Sequence, residues 1–208
     1  MFVIGDIHGC ASALESLLGE IPSGEEIFAV GDLIDRGPDS SKVVSICMEN
    51  GIRSVMGNHE HMLLDYLDGS TFYGRGLFFS NGGKETMASY GGAIPKNHID
   101  YLRSLPLFIE TDHFLLSHAG VHFAYTLKEA CNIGEDCDFN ILWNRSHLAD
   151  VGKLQVVGHT YNRNILEVKE KGKLIGINID TGCCHNKYGK LTAISLPCLD
   201  AIHVRRPC

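Results

Sequence analysis

Gly5-Asp6-Ile7-His8-Gly9 follows Phe2-Val3-Ile4, and this junction decides how the chain is read: a short apolar strand, a glycine break, then an acid and an imidazole two residues apart. The same grammar returns twice. Ile27-Phe28-Ala29-Val30 leads into Gly31-Asp32-Leu33-Ile34-Asp35-Arg36-Gly37, and Ile52-Arg53-Ser54-Val55-Met56 leads into Gly57-Asn58-His59-Glu60. Further on, Phe114-Leu115-Leu116-Ser117 delivers His118-Ala119-Gly120, and Leu154-Gln155-Val156-Val157 delivers Gly158-His159-Thr160. Each junction sets a ligand-type side chain at a strand's carboxyl end, with glycine allowing a tight turn and close approach of the backbone.

The intervening segments read as helices. Ser12-Ala13-Leu14-Glu15 has the capping-box form, and Leu14, Leu17, Leu18 and Ile21 recur at helical spacing, which predicts a helix over residues 12–20 ended by Pro22-Ser23-Gly24. A second helix is expected from Ser40 to Glu49, and a third carries Met62, Leu63, Tyr66 and Leu67. Strands alternating with helices predict an α/β arrangement with neighbouring parallel strands, whose carboxyl ends line one rim where a site collects. Residues 68–112 read as a surface excursion over that rim, with short helices near 84–90 and 97–104. Four more strands are expected at 166–169, 174–179, 191–196 and 201–204, turning at Lys171-Gly172 and Lys187 to Lys190. Hairpins are antiparallel, so the second half is expected to form a mixed sheet packed on the first. The length of 208 residues fits one domain over residues 1–208.

Charge excludes one class of partner. With 18 Lys plus Arg against 25 Asp plus Glu, the chain lacks the basic footprint that a nucleic-acid backbone demands. No apolar run approaches the roughly 20 residues of a spanning helix, and Met1 to Ile4 run straight into the first motif without a leader, so no membrane partner and a cytoplasmic location are expected. The eight cysteines, at 10, 47, 131, 137, 183, 184, 198 and 208, contain no Cys-x-x-Cys pair, which disfavours structural zinc and leaves buried or free thiols. Cys131 and Cys137 are near enough in sequence to leave a pairing open. Eleven histidines exceed what packing needs.

Asp6, His8, Asp32, Asn58, His118 and His159 offer oxygen and nitrogen donors without a thiolate, a set suited to manganese, iron or zinc rather than calcium. With one carboxylate bridging, they suffice for two divalent ions. Such a pair stabilises the attacking and leaving oxygens of an in-line displacement at phosphorus, which predicts phosphoester or phosphoanhydride hydrolysis without a serine or cysteine nucleophile. Taken singly, each residue has an ordinary role as a turn former, surface ion-pair partner or interior histidine. The ordered set carries the chemistry.

The five motifs resemble those of the phosphoprotein phosphatase family of metallophosphoesterases, and most resemble the short bacterial and bacteriophage enzymes of the lambda phosphatase type. Ile179-Asp180-Thr181-Gly182 extends the likeness over most of the chain. The resemblance implies a two-sheet β-sandwich with mixed sheets flanked by helices. It implies that Asp6, His8 and Asp32 hold one metal, most often manganese, and that Asp32 bridges to a second held by Asn58, His118 and His159. His59 would be the general acid, oriented and charged by Asp35, while Arg36 and Arg145 clamp phosphate oxygens. The implied activity is hydrolysis of phosphoserine or phosphothreonine, extending to phosphotyrosine, by direct attack of metal-bound hydroxide. The chief alternative is a symmetrical dinucleoside tetraphosphate hydrolase, a family that replaces the acid at the Asp35 position and usually has aspartate where Glu60 stands. A non-catalytic binding module would be free to lose ligands, and all six are present; a stand-alone nuclease fits neither the acidic balance nor Asp35-Arg36-Gly37. His61, His98, His113, His122, His147, His185 and His203 match no motif and are expected to be structural or surface residues.

Overall fold

Phe2 and Ile4 face one way and Val3 the other, as a pleated strand requires, and all three are buried, so this strand needs apolar cover on both faces. The computed structural model, which describes residues 1–69, 74–133, 139–185 and 189–205, shows how that cover is supplied. In chain order, β1 (Phe2–Ile4), α1 (Ala11–Glu20), β2 (Ile27–Ala29), α2 (Ser40–Glu49), β3 (Arg53–Ser54) and α3 (Asn58–Leu67) build the first half. The excursion carries α4 (Gly74–Phe78), a π-helical turn (Phe79–Gly83), α5 (Lys84–Ser89) and α6 (Lys96–Ser104). Then come β4 (Phe108–Glu110), β5 (Phe114–Ser117), α7 (Leu127–Ala130), β6 (Leu154–Val157), β7 (Leu166–Glu170), β8 (Lys173–Asn178), β9 (Lys190–Ser195) and β10 (Ala201–Arg205).

Two five-stranded mixed sheets result, ordered β10-β9-β1-β2-β3 and β4-β5-β6-β8-β7. In the first, β1, β2 and β3 run parallel while β9 is antiparallel to β1; in the second, β5, β6 and β8 run parallel between antiparallel edges. Val3, Phe28, Val30, Val55 and Ile194 of the first sheet's side meet Phe114, Leu116, Val156, Ile177 and Ile179 of the second's. On the far side of the first sheet, Leu14, Leu17, Val43, Val44, Met62 and Leu63 bring α1, α2 and α3 onto Ile4 and Ala29. Each such side chain contributes about 1.5–3 kcal/mol by leaving water. This is the expected sandwich of mixed sheets flanked by helices.

The differences from the sequence reading are local. The helix α1 starts at Ala11 after Cys10 with no side-chain cap, so Ser12 lies within the first turn and its carbonyl accepts the Ser16 hydroxyl. The loop enters the helix directly, Ala13 and Leu14 N–H donating to the Cys10 carbonyl. Only Arg53–Ser54 of the third predicted strand pair, because Met56 N–H turns aside to the Pro106 carbonyl. The last two strands join the first sheet instead of packing on it: β1 has β2 on one side, and β9 satisfies the hydrogen bonds on the other. Lys171-Gly172 makes the β7–β8 turn, both at positive φ, while the second predicted turn and the Cys131–Cys137 pairing include residues outside the described ones. Among the described residues no helix is long and apolar enough to cross a membrane.

Candidate metal centre

The strand ends converge. Asp6 and His8 follow β1, Asp32 follows β2, Asn58 and His59 open α3, His118 follows β5 and His159 follows β6, and all seven are buried. Non-glycine residues adopt positive φ at seven described positions, of which His8, Asp32, Asp35, Arg36 and His159 belong to this rim. Each costs about 1–3 kcal/mol and persists only where surrounding bonds over-determine it. Gly158 shows how tight the packing is, since a β-carbon there would overlap the Asp6 carboxylate.

Asp32 belongs to two groups of ligand-type atoms, one with His8 and His59 and one with His118 and His159, each group within 4.8 Å. Asp6 stands outside both tight groups, its carboxylate accepting the His159 backbone N–H at 3.0 and 3.3 Å. The donor chemistry fits cations. His118 donates Nδ1–H to the Val30 carbonyl at 2.8 Å, which leaves a lone pair on Nε2. That atom lies 2.8 Å from Asn58 Oδ1 and 3.2 Å from His159 Nδ1, and Asn58 Oδ1 is 3.0 Å from the same His159 nitrogen. His159 Nε2 is buried without a partner. Three atoms rich in lone pairs crowd together with too few protons to bridge them, an arrangement a divalent ion relieves. His8 is oriented likewise, Nδ1–H donating to the Ile34 carbonyl at 2.9 Å, while Arg36 Nη1 donates to its Nε2 at 2.6 Å.

Burial and charge divide the protons. Burial, Asp180 and Asp32 push the Asp6 carboxyl well up, whereas burial pulls His8, His118 and His159 down into the neutral form that ligates metals. Asp32 goes the other way: burial opposes its charge, but His118, His59 and His8 outweigh burial and hold it below the usual carboxylate range. Asp180, in the motif without an assigned role, is pushed up to about 6 by burial.

His59 differs from the other histidines. Its Nδ1–H donates to Asp35 Oδ2 at 2.6 Å, leaving Nε2 free and 3.8 Å from Asp32 Oδ2. Burial lowers its pKa, but Asp32 and the Asp35 hydrogen bond overcome that and raise it. The sequence placed Asp35 beside His59, and the geometry brings them together. It did not anticipate what holds Asp35: Thr86 Oγ1 donates to Asp35 Oδ1 at 2.6 Å, and Asp35 N–H donates to Thr86 Oγ1 at 2.9 Å and Ser40 Oγ at 3.1 Å. Nor did it anticipate Glu60, which accepts the N–H groups of Asp32, Leu33, Ile34 and Gly57 at 2.8 to 3.3 Å. A threonine in this excursion carries no sequence signal for its role, and Glu60 in its motif carries none for accepting backbone N–H groups.

Arg36 is exposed over the His8 side. Arg145 is exposed on the other, Nη1 donating to Thr160 Oγ1 at 3.3 Å, and its charge depresses the pKa values of His118 and His159. Neither tight cluster contains any of the seven unmatched histidines; His98 pairs with the Tyr90 hydroxyl and His203 with Thr192. Cys47, Cys131, Cys184 and Cys198 carry free thiols.

Known proteins resemble the chain in sequence and in fold. The symmetrical bis(5'-nucleosyl)-tetraphosphatase of Ralstonia nicotianae is 37% identical over 123 residues, 57% of this chain and 41% of that protein. Serine/threonine-protein phosphatase 1 of Salmonella typhimurium is 47% identical over 68 residues, 31% of this chain and 32% of that protein. The chain thus spans about half or less of the length of these curated relatives. The crystal structure of a putative diadenosine tetraphosphatase superposes with a TM-score of 0.70 at 26% identity, covering 98% of this chain and 91% of that one. The family model for calcineurin-like phosphoesterases matches residues 1–192, and the chain belongs to that metallophosphoesterase family.

Proposed function

We propose that the chain hydrolyses a dinucleoside tetraphosphate at a pair of divalent ions. This was the alternative in the sequence reading, and the comparisons favour it over phosphoprotein dephosphorylation. The observation that carries it is the likeness to a putative diadenosine tetraphosphatase over 98% of the chain, joined by curated tetraphosphatases at 31–37% identity. The site is compatible: Arg36 and Arg145 lie on opposite flanks of the buried ligands and offer guanidinium forks to a long polyphosphate. His8, Asp32, Asp6, Asn58, His118 and His159 would hold the ions, with manganese the proposed species. Bound there, the ions would supply an activated water and neutralise phosphoryl charge. His59 then gives its Nε2 proton to the departing bridging oxygen while Asp35 keeps the imidazole charged.

A phosphoserine or phosphothreonine protein is the second reading, favoured by the buried Asp35–His59 pair. An alkoxide leaving group needs that proton more than a nucleoside diphosphate does. After metal removal and manganese addition, turnover of diadenosine tetraphosphate, a phosphoserine peptide and a phosphotyrosine peptide is compared side by side. Faster cleavage of the dinucleotide into two nucleoside diphosphates is expected. Turnover confined to the peptides overturns the dinucleotide reading in favour of the second.

A further inference from the structure

Gly82 and Thr86 of the excursion touch the Asp35-Arg36 turn from outside the five motifs. Asp35 and Arg36 stand in succession at φ 71° and 67°, a left-handed pair without a glycine. Such a pair needs bonds from elsewhere, and the excursion supplies them. Arg36 N–H donates to the Gly82 carbonyl at 3.3 Å. Gly82 lies at φ 106°, and a β-carbon there would come within 2.6 Å of Arg36 N and 2.8 Å of Arg36 Cγ. One turn later Thr86, fully buried, meets Asp35 with the two bonds given above.

The hydrogens along this path have one direction. Thr86 has a single hydroxyl proton, and at 2.6 Å it goes to Asp35 Oδ1, because an ionised carboxylate only accepts. At the 3.0 Å contact between Ser40 Oγ and Thr86 Oγ1, the donor must therefore be Ser40. The relay runs from Ser40 to Thr86 to Asp35 Oδ1, and Asp35 Oδ2 receives His59 Nδ1–H. We propose that Thr86 is a positioning residue for the acid His59: its hydroxyl pins one Asp35 oxygen so that the other holds the His59 imidazolium with its Nε2–H toward the reacting oxygen. The excursion is then part of the acid machinery as well as a wall of the cleft. The proposal rests on the assignment of His59 as acid, whichever phosphate compound is the substrate.

The test uses Thr86→Val, which keeps the β-branched shape and removes the hydroxyl, Thr86→Ser, which restores it, and Asp35→Asn. Turnover is measured on a phosphoserine peptide and on p-nitrophenyl phosphate, whose leaving group needs little protonation, with manganese content and thermal unfolding followed in parallel. Thr86→Val is expected to slow the peptide about 10-fold or more relative to the aryl ester at unchanged metal content, and Thr86→Ser to recover most of that loss. In an Asp35→Asn background, Thr86→Val should add almost nothing, since the residues act through one another. In the protein loaded with diamagnetic zinc, a low-field proton resonance that Asp35→Asn abolishes reports the His59–Asp35 bond directly; Thr86→Val should move it and Thr86→Ser restore it. If Asp35→Asn itself leaves both the peptide-to-aryl ratio and that resonance unchanged, the acid assignment fails and the proposal with it. If Asp35→Asn changes them and Thr86→Val does not, or if Thr86→Val slows both substrates equally, only the positioning role of Thr86 is overturned. A Thr86→Val protein that does not fold leaves Thr86→Ser to decide: the resonance and ratio must then stay near the parent's, and a change as large as that of Asp35→Asn refutes the relay.

Discussion

Replacing Glu60 by glutamine changes one atom and should nevertheless weaken the fold substantially. Glu60 Oε1 accepts the N–H groups of Leu33 and Ile34, and Oε2 accepts those of Asp32 and Gly57. Glutamine offers one acceptor oxygen and one NH2, so either amide orientation turns a donor toward two backbone donors. A buried N–H left without an acceptor costs about 1–3 kcal/mol, so the pair costs about 2–6 kcal/mol out of a total stability of about 5–15 kcal/mol. For a chain of this length that corresponds to a fall of about 4–24 °C in Tm. The assay is thermal unfolding by circular dichroism at about pH 8, where the Glu60 carboxylate is ionised and accepts all four N–H groups. Because one of the four donors is Asp32 N–H, manganese affinity should drop in step. A Glu60→Gln protein that melts within about 1 °C of the parent would refute the accounting.

Three further outcomes follow from the site. His59→Asn should slow a phosphoserine peptide by about 10²-fold while sparing aryl phosphates, and equal losses on both would remove His59 from the acid role. Asp32→Asn, placed between the two ligand groups, should reduce bound manganese to one ion or fewer per chain by elemental analysis; two retained ions with full activity would contradict a bridging role. Cys47, whose thiol is pushed up to about 12 by burial and then by Glu60, should resist Ellman's reagent until urea unfolds the chain, and rapid labelling of the native protein at this position would show the packing there to be wrong.

The convergence of the strand-end residues was legible because each follows an apolar strand, in most cases with a glycine between, a local pattern that survives without knowledge of the fold. Asp6, His8, Asp32, Asn58, His118 and His159 meet as that pattern implied, although Asp6 faces the His159 backbone and His59 joins His8 in the tight group. Thr86 and Ser40 escaped because their importance lies in hydrogen bonds to residues 51 and 5 positions away, which no periodicity records. Glu60 was legible as a motif letter and not as a backbone acceptor. In the fold, apolar runs announced β9 and β10, but which sheet they join depends on the unpaired side of β1, a non-local matter. The short β4 escaped because its three residues follow a proline within a segment of weak pattern. Substrate choice was the least legible part, since Asp35 bonds His59 and Glu60 bonds the backbone around the centre, whereas a nucleotide would be chosen by surfaces farther out.

The central place of β1 has a consequence for how the chain is made. Phe2–Ile4 leave the ribosome before either neighbouring strand, gain a parallel partner when residue 29 is available, and wait until residues 193–195 for their antiparallel one. Completing the first sheet therefore requires closing a loop that spans nearly the whole chain, a slow step among contacts of such long range. Until then one edge of a buried, wholly apolar strand lies open, and a nascent chain stalled before β9 would expose a template for pairing with other chains.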